Sequence, residues 1–352
     1  MRQQCVVRTG CRKPGVRDPE HVWPSTTVLT SLHRSPTGEI QRDLSLDALR
    51  RVVTAGEGVL WLDLDVSDPR QAAILTDLFH FHPLAVEDAR NPKSRVKVDE
   101  YPDFLLVVAR VVGFAHHTPD PYDLETANLN IFVTPNAVVT AHTQPSPVVR
   151  LLTERLRTNP DLLERGPARV AHQALDIAVD AYFPLLDQLD EFVDDIEQRV
   201  FGSFDEELLQ EIFKVKRLAI SLRRFLAPQR EVLSQLTNRP SRFLPPDAQL
   251  YFRDVYDHML RITDALDSYR DLMSSTLDSY LTQISNRLGT VSKGLAVVGA
   301  LSVPFVVIAG VYGMNFEYIP LGHHRYGFEI MVAIQFLLAA VLLLGMRWKK
   351  MI

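Results

Sequence analysis

Residues Lys293 to Glu317 read KGLAVVGALSVPFVVIAGVYGMNFE, with no charge between the two that bound the stretch. Residues 294–316 are therefore an uncharged run longer than the ~20 residues a helix needs to cross the hydrocarbon core of a bilayer. A second uncharged run, Ile330–Met346, lies near the ~17-residue lower limit and is closed by Arg347, Lys349 and Lys350. The tripeptide Gly313-Met314-Asn315 sits where the first run ends. The chain reads as a large soluble part followed by a two-helix membrane hairpin, with Tyr312–Tyr318 at the tip. The competing reading of the same residues is a hairpin buried in a soluble protein.

Positive charge sets the expected orientation. Arg287 and Lys293 precede the first span and Arg347, Lys349 and Lys350 follow the second, whereas the connection between them holds Glu317, Arg325 and Glu329. Both termini are expected in the cytoplasm, with the Gly-Met-Asn loop outside. Tyr318, Tyr326 and Trp348 suit interfacial anchors.

A net charge of -5 over 352 residues, with no strongly basic domain, argues against nucleic-acid binding. The two cysteines, Cys5 and Cys11, lie in an N-terminal segment rich in Arg, Pro and Gly. That suits a reducing compartment rather than a disulfide framework. The N-terminus has no apolar h-region of a secretory signal. A Gly-x-x-x-x-Gly-Lys-Ser/Thr loop is absent, so ATP-driven pumping by this chain is not expected. No enzymatic site is read.

Along the chain, residues 1–25 read as a flexible tail and 26–145 as an α/β or α+β domain. Val59–Leu64, Phe104–Val112, Leu124–Val133 and Ala137–Ala141 are rich in Val and Leu and read as strands. A hairpin turn is expected at Thr134-Pro135-Asn136. Leu46–Ala55 and Pro69–Phe79 read as helices, the second with Asp68 as N-cap and Pro69 at its first position. The order of the strands is not legible.

Residues 146–240 read as long antiparallel helices. Pro167–Val200 is expected as one acidic helix carrying Asp187, Asp190, Glu191, Asp194, Asp195 and Glu197. Asp205–Asn238 is expected as a basic one carrying Lys214, Lys216, Arg217, Arg223 and Arg224, with Gly202-Ser203 between them. Two readings stand: complementary solvated faces, or a divalent-cation reservoir near a pore.

After Pro240, Pro245 and Pro246, a helix is expected from about Asp247 with nothing to stop it before Gly310. A soluble stalk at 247–293 would thus run into the first span at 294–316. A loop at 317–329, the second span at 330–346 and a basic tail at 347–352 complete the chain. The stalk carries a heptad, with Val255, Ile262, Tyr269 and Thr276 on one seam and Met259, Leu266, Met273 and Tyr280 on the other. Packing within one subunit could use part of it; its length points to partner chains.

Past Tyr280 the seam turns small: Ser285, Gly289, Ser292, Ala296, Gly299, Val303, Val306, Gly310 and Gly313 recur at steps of three or four and fall on one helical stripe. Such a stripe either lets membrane helices pack closely or lines a narrow pore. Joined to the heptad and to Asn315 it favours the pore, with Leu295 and Val303 as hydrophobic constrictions. A ring of Asn315 amide oxygens could hydrogen-bond the water shell of a hydrated cation. Mg²⁺ gives up its waters reluctantly, so a site for the hydrated ion avoids that cost.

Tyr312–Tyr318, Tyr251–His258 and His82–Asp88 (HPLAVED) resemble the CorA family of magnesium transport proteins, and the likeness covers nearly the whole chain. The resemblance implies a funnel-shaped homopentamer in the inner (plasma) membrane, with one long helix per subunit lining a central path. It implies gradient-driven influx of Mg²⁺, with Co²⁺ and Ni²⁺ as alternative cargo. It also implies divalent ions bridging neighbouring cytoplasmic domains through Asp88, Asp254 and Glu87, closing the channel. Without the resemblance, Asp88 would read as a helix cap and Asp254 as one side of a surface ion pair. By the same resemblance Asp278 forms an acidic ring at the cytoplasmic mouth, Glu317 belongs to the external signature, and Lys349 and Lys350 join a basic collar.

The chain departs from the family's usual pattern at Gly289 and Val306, where polar Asn and Thr are common. It departs again at Ile319-Pro320-Leu321, followed by Gly322-His323-His324. The inner path is less polar than usual. His323 and His324 would suit zinc or nickel or be solvated bystanders. A zinc transporter of the same superfamily and a non-conducting membrane scaffold are the competing functions.

Overall fold

The computed structural model describes residues 29–115, 117–202, 206–314, 319–322 and 324–348. The expected N-terminal tail with Cys5 and Cys11, the Ser203 turn, Asn315, Glu317, Tyr318, His323, Lys349 and Lys350 lie outside the described residues. The chain divides into two compact units, one ending at Ser274 and the other beginning at Ser275.

The first unit is built on strands β1 (Thr30–Arg34), β2 (Ile40–Arg42), β3 (Val59–Asp65), β4 (Lys97–Glu100), β5 (Leu105–Phe114), β6 (Leu124–Val133) and β7 (Ala137–His142). They form one sheet in the order β2-β1-β3-β7-β6-β5-β4. β3 and β7 run parallel, with Leu60 opposite Ala137, and the other named pairs are antiparallel. The Thr134 amide donates to the Ala137 carbonyl at 2.8 Å and closes the β6–β7 turn, as the Thr-Pro-Asn sequence leads one to expect. At the start of β3, Gly58 holds φ +75° and a Cβ there would meet the Arg34 carbonyl oxygen at 2.1 Å. Only glycine satisfies both demands.

Helices cover both faces, which is why β5 and β7 read as near-continuous apolar runs rather than alternations. On one side α1 (Leu46–Ala55), α2 (Pro69–Asp77) and α3 (Pro83–Arg90) bury Leu60, Leu62 and Leu64 of β3, Leu106 and Val108 of β5, Phe132 of β6 and Val139 of β7. Phe81 stacks on Phe132 at 4.5 Å between centroids within this layer. Asp68 caps α2 through the Arg70 amide, with Pro69 at the first helical position. On the other side lie α4 (Pro147–Thr158), α5 (Asp161–Glu164), α6 (Pro167–Asp180) and α8 (Glu206–Asn238). The mixed α/β domain expected from the strand runs is present. β1, β2, β4 and α3 lacked a legible pattern because each is short.

The single helix expected over Pro167–Val200 is two, α6 and α7 (Phe183–Gly202). Pro184 has no N–H to offer the Asp180 carbonyl, and its ring crowds that turn. Tyr182 at the break is buried, donating its hydroxyl to the Arg110 carbonyl of β5 and meeting Gln229 of α8. Burial, against opposing help from Gln229, holds its phenol well above the ordinary tyrosine range.

The complementary-face reading of α7 and α8 also changes. Lys214 of α8 pairs with Asp120 at 2.9 Å, and Arg223 pairs with Asp267 at 2.9 Å. Among the described residues, an ion pair joining the two helices runs the other way, from Arg199 of α7 to Glu211 of α8. The acidic face of α7 instead reaches Tyr269, whose phenol is pushed up to about 12, first by burial and then by its bond to Asp190.

Helix α9 (Pro246–Tyr312) is continuous, and at 67 residues it is about 100 Å long. Val255, Met259, Ile262, Leu266 and Met273 of its heptad are at most 1% exposed within one chain. α6, α7 and α8 supply the cover: His172 meets Phe252, Phe183 meets His258, and Arg223 pairs with Asp267. The expectation that this seam needs partner chains does not hold for these residues. Thr276 and Tyr280 are buried as well.

In the second unit, α10 (Gly327–Trp348) follows the loop. Helices α9, at its apolar end, and α10 are each long and apolar enough to cross a membrane, with a mean hydropathy of 2.3 over an 18-residue window in each.

Candidate functional site

The small-residue stripe lies on α9 between Ser285 and Gly313. Where α9 is half-covered, the residues are Val297, Leu301, Pro304, Phe305, Ile308 and Tyr312. Phe305 meets Phe336 of α10 edge-on at 6.1 Å. At about 100° per residue, Gly299, Val303 and Gly310 point some 120–160° away from Phe305. A Cβ added at Gly289, Gly299 or Gly310 would find no atom within 4 Å. The stripe is thus not the surface on which α10 packs. Leu295, Val303 and Val306 stand exposed on or beside it, at 74%, 59% and 68%. Asp278, exposed and seven residues (about two turns) before Ser285, continues the same face toward the N-terminal end of the helix.

Tyr312 is the last residue of α9, and the Gly313 and Met314 amides close the terminus on the Ala309 and Val311 carbonyls at 2.9 and 3.3 Å. Met314 is half-exposed. A Cβ at Gly313 would press on the Ala309 carbonyl at 3.1 Å.

The expected regulatory carboxylates sit on α3 and α9. Asp88 lies in the last turn of α3, whose carbonyls at Glu87 and Asp88 both receive the Asn91 amide. The Asp88 Oδ1 accepts from the Ser94 hydroxyl at 3.1 Å, and its Oδ2 takes the Lys97 ammonium at 2.8 Å. Lys97 and Asp99, two apart on β4, share the face opposite Val108 and Leu106. The same ammonium meets Asp99 at 2.6 Å. Burial lowers the Lys97 pKa, but the bonds to Asp88 and Asp99 outweigh it and hold the amine protonated well beyond its ordinary range.

Behind Ser94 the network continues inward. The Ser94 carbonyl accepts from Arg110 at 2.7 Å and from Asn128 at 2.9 Å, and the Arg110 amide donates to Gln229 at 2.7 Å. Glu87 is exposed and lines an open cavity of about 450 Å³ with Thr76, Pro83, Val86, Arg90 and Asn91.

Asp254 is 70% exposed, 4.0 Å from His258. His258 faces Asp180 at 3.5 Å from its other ring nitrogen. Asp176, Asp180 and His258 bring their ligand atoms within 4.8 Å of one another and could hold a metal ion. Burial first, then Asp176, raises the Asp180 pKa, while His258 opposes the shift. Asp88, Glu87 and Asp254 are not part of that group. The i, i+4 spacing of Asp176 and Asp180 was readable in the sequence, but their approach to His258 arises only when α6 packs on α9.

The family model of the CorA-like Mg²⁺ transporter protein matches residues 56–349. YfjQ of Bacillus subtilis (strain 168), named as a candidate metal ion transporter, is 33% identical over 290 residues, covering 81% of this chain and 86% of its own. The cobalt/magnesium transport protein CorA of Thermotoga maritima is 31% identical over 275 residues, 78% of each chain. The complete structure of the CorA magnesium transporter from Methanocaldococcus jannaschii superimposes with a TM-score of 0.76 at 20% identity, over 92% of this chain and 98% of that one.

Proposed function

The chain belongs to the CorA-like Mg²⁺ transporter family, and from that premise we propose that it is a channel for hydrated Mg²⁺. The family is one of divalent metal ion transporters rather than enzymes. The observation that carries the proposal is the small-residue face of α9, turned away from α10 and running to Gly313-Met314.

Such faces from several subunits, five by resemblance, would enclose a path without bulky side chains to plug it. Asn315 at its outer end would hydrogen-bond the ion's water shell, with Glu317 in the external signature. Asp278 would concentrate cations at the inner mouth. Ser292 and the bare backbone at Gly289, Gly299 and Gly310 would leave room for hydrated cargo, and Leu295, Val303 and Val306 would close the path by dewetting. Influx would follow the electrochemical gradient, in the inner membrane with both termini cytoplasmic.

Internal Mg²⁺ would close the channel by bridging Asp88, and Glu87 beside it, to Asp254 of a neighbouring subunit. Carboxylate oxygens are suitable donors for this hard cation. Its binding must favour the closed state to shift the population.

The test is flux of Mg²⁺, Co²⁺, Ni²⁺ and Zn²⁺ into liposomes holding the purified protein. Parent protein should admit Mg²⁺, and Asn315→Ala should abolish uptake at unchanged assembly. Uptake of Zn²⁺ alone would point to a zinc transporter, no uptake at all to a scaffold, and full Mg²⁺ uptake by the Ala variant would refute the Asn315 ring.

A further inference from the structure

The loop between α3 and β4 folds so that a lysine of the same chain lies on the carboxylate assigned to the regulatory ion. Asp88 emerges from the last turn of α3 and is fixed by Ser94, whose hydroxyl bonds both its carbonyl oxygen at 2.9 Å and its Oδ1 at 3.1 Å. Ser94 is itself 4% exposed and anchored by Arg110 and Asn128, so this carboxylate is held in place. Its remaining oxygen, Oδ2, is the one the Lys97 ammonium occupies at 2.8 Å. Asp99 receives the same ammonium at 2.6 Å. The Asp88 side chain is 25% exposed, and the lysine on its Oδ2 is itself only 33% exposed.

A divalent cation and an ammonium seek the same oxygen and repel each other. Binding the ion to Asp88 therefore requires the ammonium to leave. Asp99 makes that displacement cheap, because the departing ammonium already holds a second carboxylate and is not stranded. The arrangement raises the concentration of free ion needed without abolishing binding.

We propose that Lys97 is a tethered competitor for Asp88 and sets the Mg²⁺ concentration at which the regulatory site fills. This rests on the reading of Asp88 as a ligand of the closing ion. Lys97 touches no cargo; it acts through Asp88, with Asp99 as the ammonium's alternative seat.

The test measures the Mg²⁺ concentration that half-protects the full-length detergent-solubilised protein from chymotrypsin. Because chymotrypsin also cleaves slowly after methionine, each variant's half-protecting concentration is read against its own digestion rate without Mg²⁺. Lys97→Met keeps the aliphatic stem and removes the charge, and it should lower the half-protecting concentration about two- to fivefold, the range of one partly exposed ion pair. Lys97→Arg should stay near the parent value. Asp99→Asn, which leaves the ammonium only Asp88, should raise it. In Lys97→Met with Asp88→Asn the gain should vanish.

An unchanged or raised concentration in Lys97→Met, or a gain that survives Asp88→Asn, overturns the competitor role. If Asp88→Asn alone leaves protection as in the parent, the ligand reading of Asp88 fails instead, and the proposal with it. Unfolding temperatures without Mg²⁺, measured for every variant, separate a charge effect from a damaged fold: a lowered half-protecting concentration at parental stability supports competition.

Discussion

Replacing Met259 by alanine tests whether the long seam of α9 belongs to one chain or to an assembly. Met259 is 0% exposed, with α6 and α7 meeting Phe252 and His258 on the same stretch of helix. Removing the three heavy atoms beyond Cβ forfeits about 2 kcal/mol of transfer free energy. A residual cavity of roughly 60 Å³ adds about 1.5 kcal/mol at ~24 cal/mol per Å³. The expected loss is thus about 3–4 kcal/mol, a large part of the stability of an ordinary domain. Leu250→Ala on the same helix, where the side chain is 65% exposed, should change stability by less than about 0.5 kcal/mol. Urea unfolding followed by circular dichroism measures both, and light scattering at the same protein concentration reports the oligomer. The Met259 variant should unfold at markedly lower urea while its native mass is unchanged. A variant that unfolds at the parent midpoint but falls apart into monomers would refute the assignment and return the seam to the subunit interface.

Two further outcomes are expected. Gly299→Leu meets open space in the single chain and improves intrinsic helix propensity, so expression and unfolding should be preserved while liposome Mg²⁺ uptake falls to background; uptake at the parent rate would remove this face from the ion path. His172 is lowered to about 4, first by burial and then by Arg169, against the pull of Asp176 and Asp254. The unfolded chain then binds the proton more tightly, so the contribution to stability is complete above about pH 6.5 and drains away as pH falls toward 4. His172→Gln should flatten that acid limb in pH-dependent urea midpoints, and an unaltered limb would show that another group governs it.

The sequence alone determined those features in which a local pattern has one physical meaning. An uncharged run from Gly294 to Phe316 has few alternatives to a membrane helix, because each buried charge is costly there and each backbone group must bond within its own helix. Segments rich in Val and Leu at β3, β5 and β6 mark strands, and Asp68-Pro69 marks the start of α2 through capping chemistry. The stripe from Ser285 to Gly313 was visible for the same reason: a helix repeats every 3.6 residues whatever surrounds it.

Tertiary structure decided what such patterns leave open, namely which surface answers which. The Met259 seam announced that it would be buried but could not name its cover, and α6, α7 and α8 proved to supply it. Pro184 was present in the sequence, yet the seat of Tyr182 at the break came from distant residues, the Arg110 carbonyl accepting its hydroxyl and the Gln229 side-chain amide donating to it. The small stripe was legible, but that α10 lies on the far side of α9 came only from the Phe305–Phe336 contact. Asp88 read as a helix cap or a cation ligand; the fold gave it the ammonium of Lys97. Periodicity encodes how far a residue is removed from water, whereas pairing across the fold is set by chain topology, and no local window contains it.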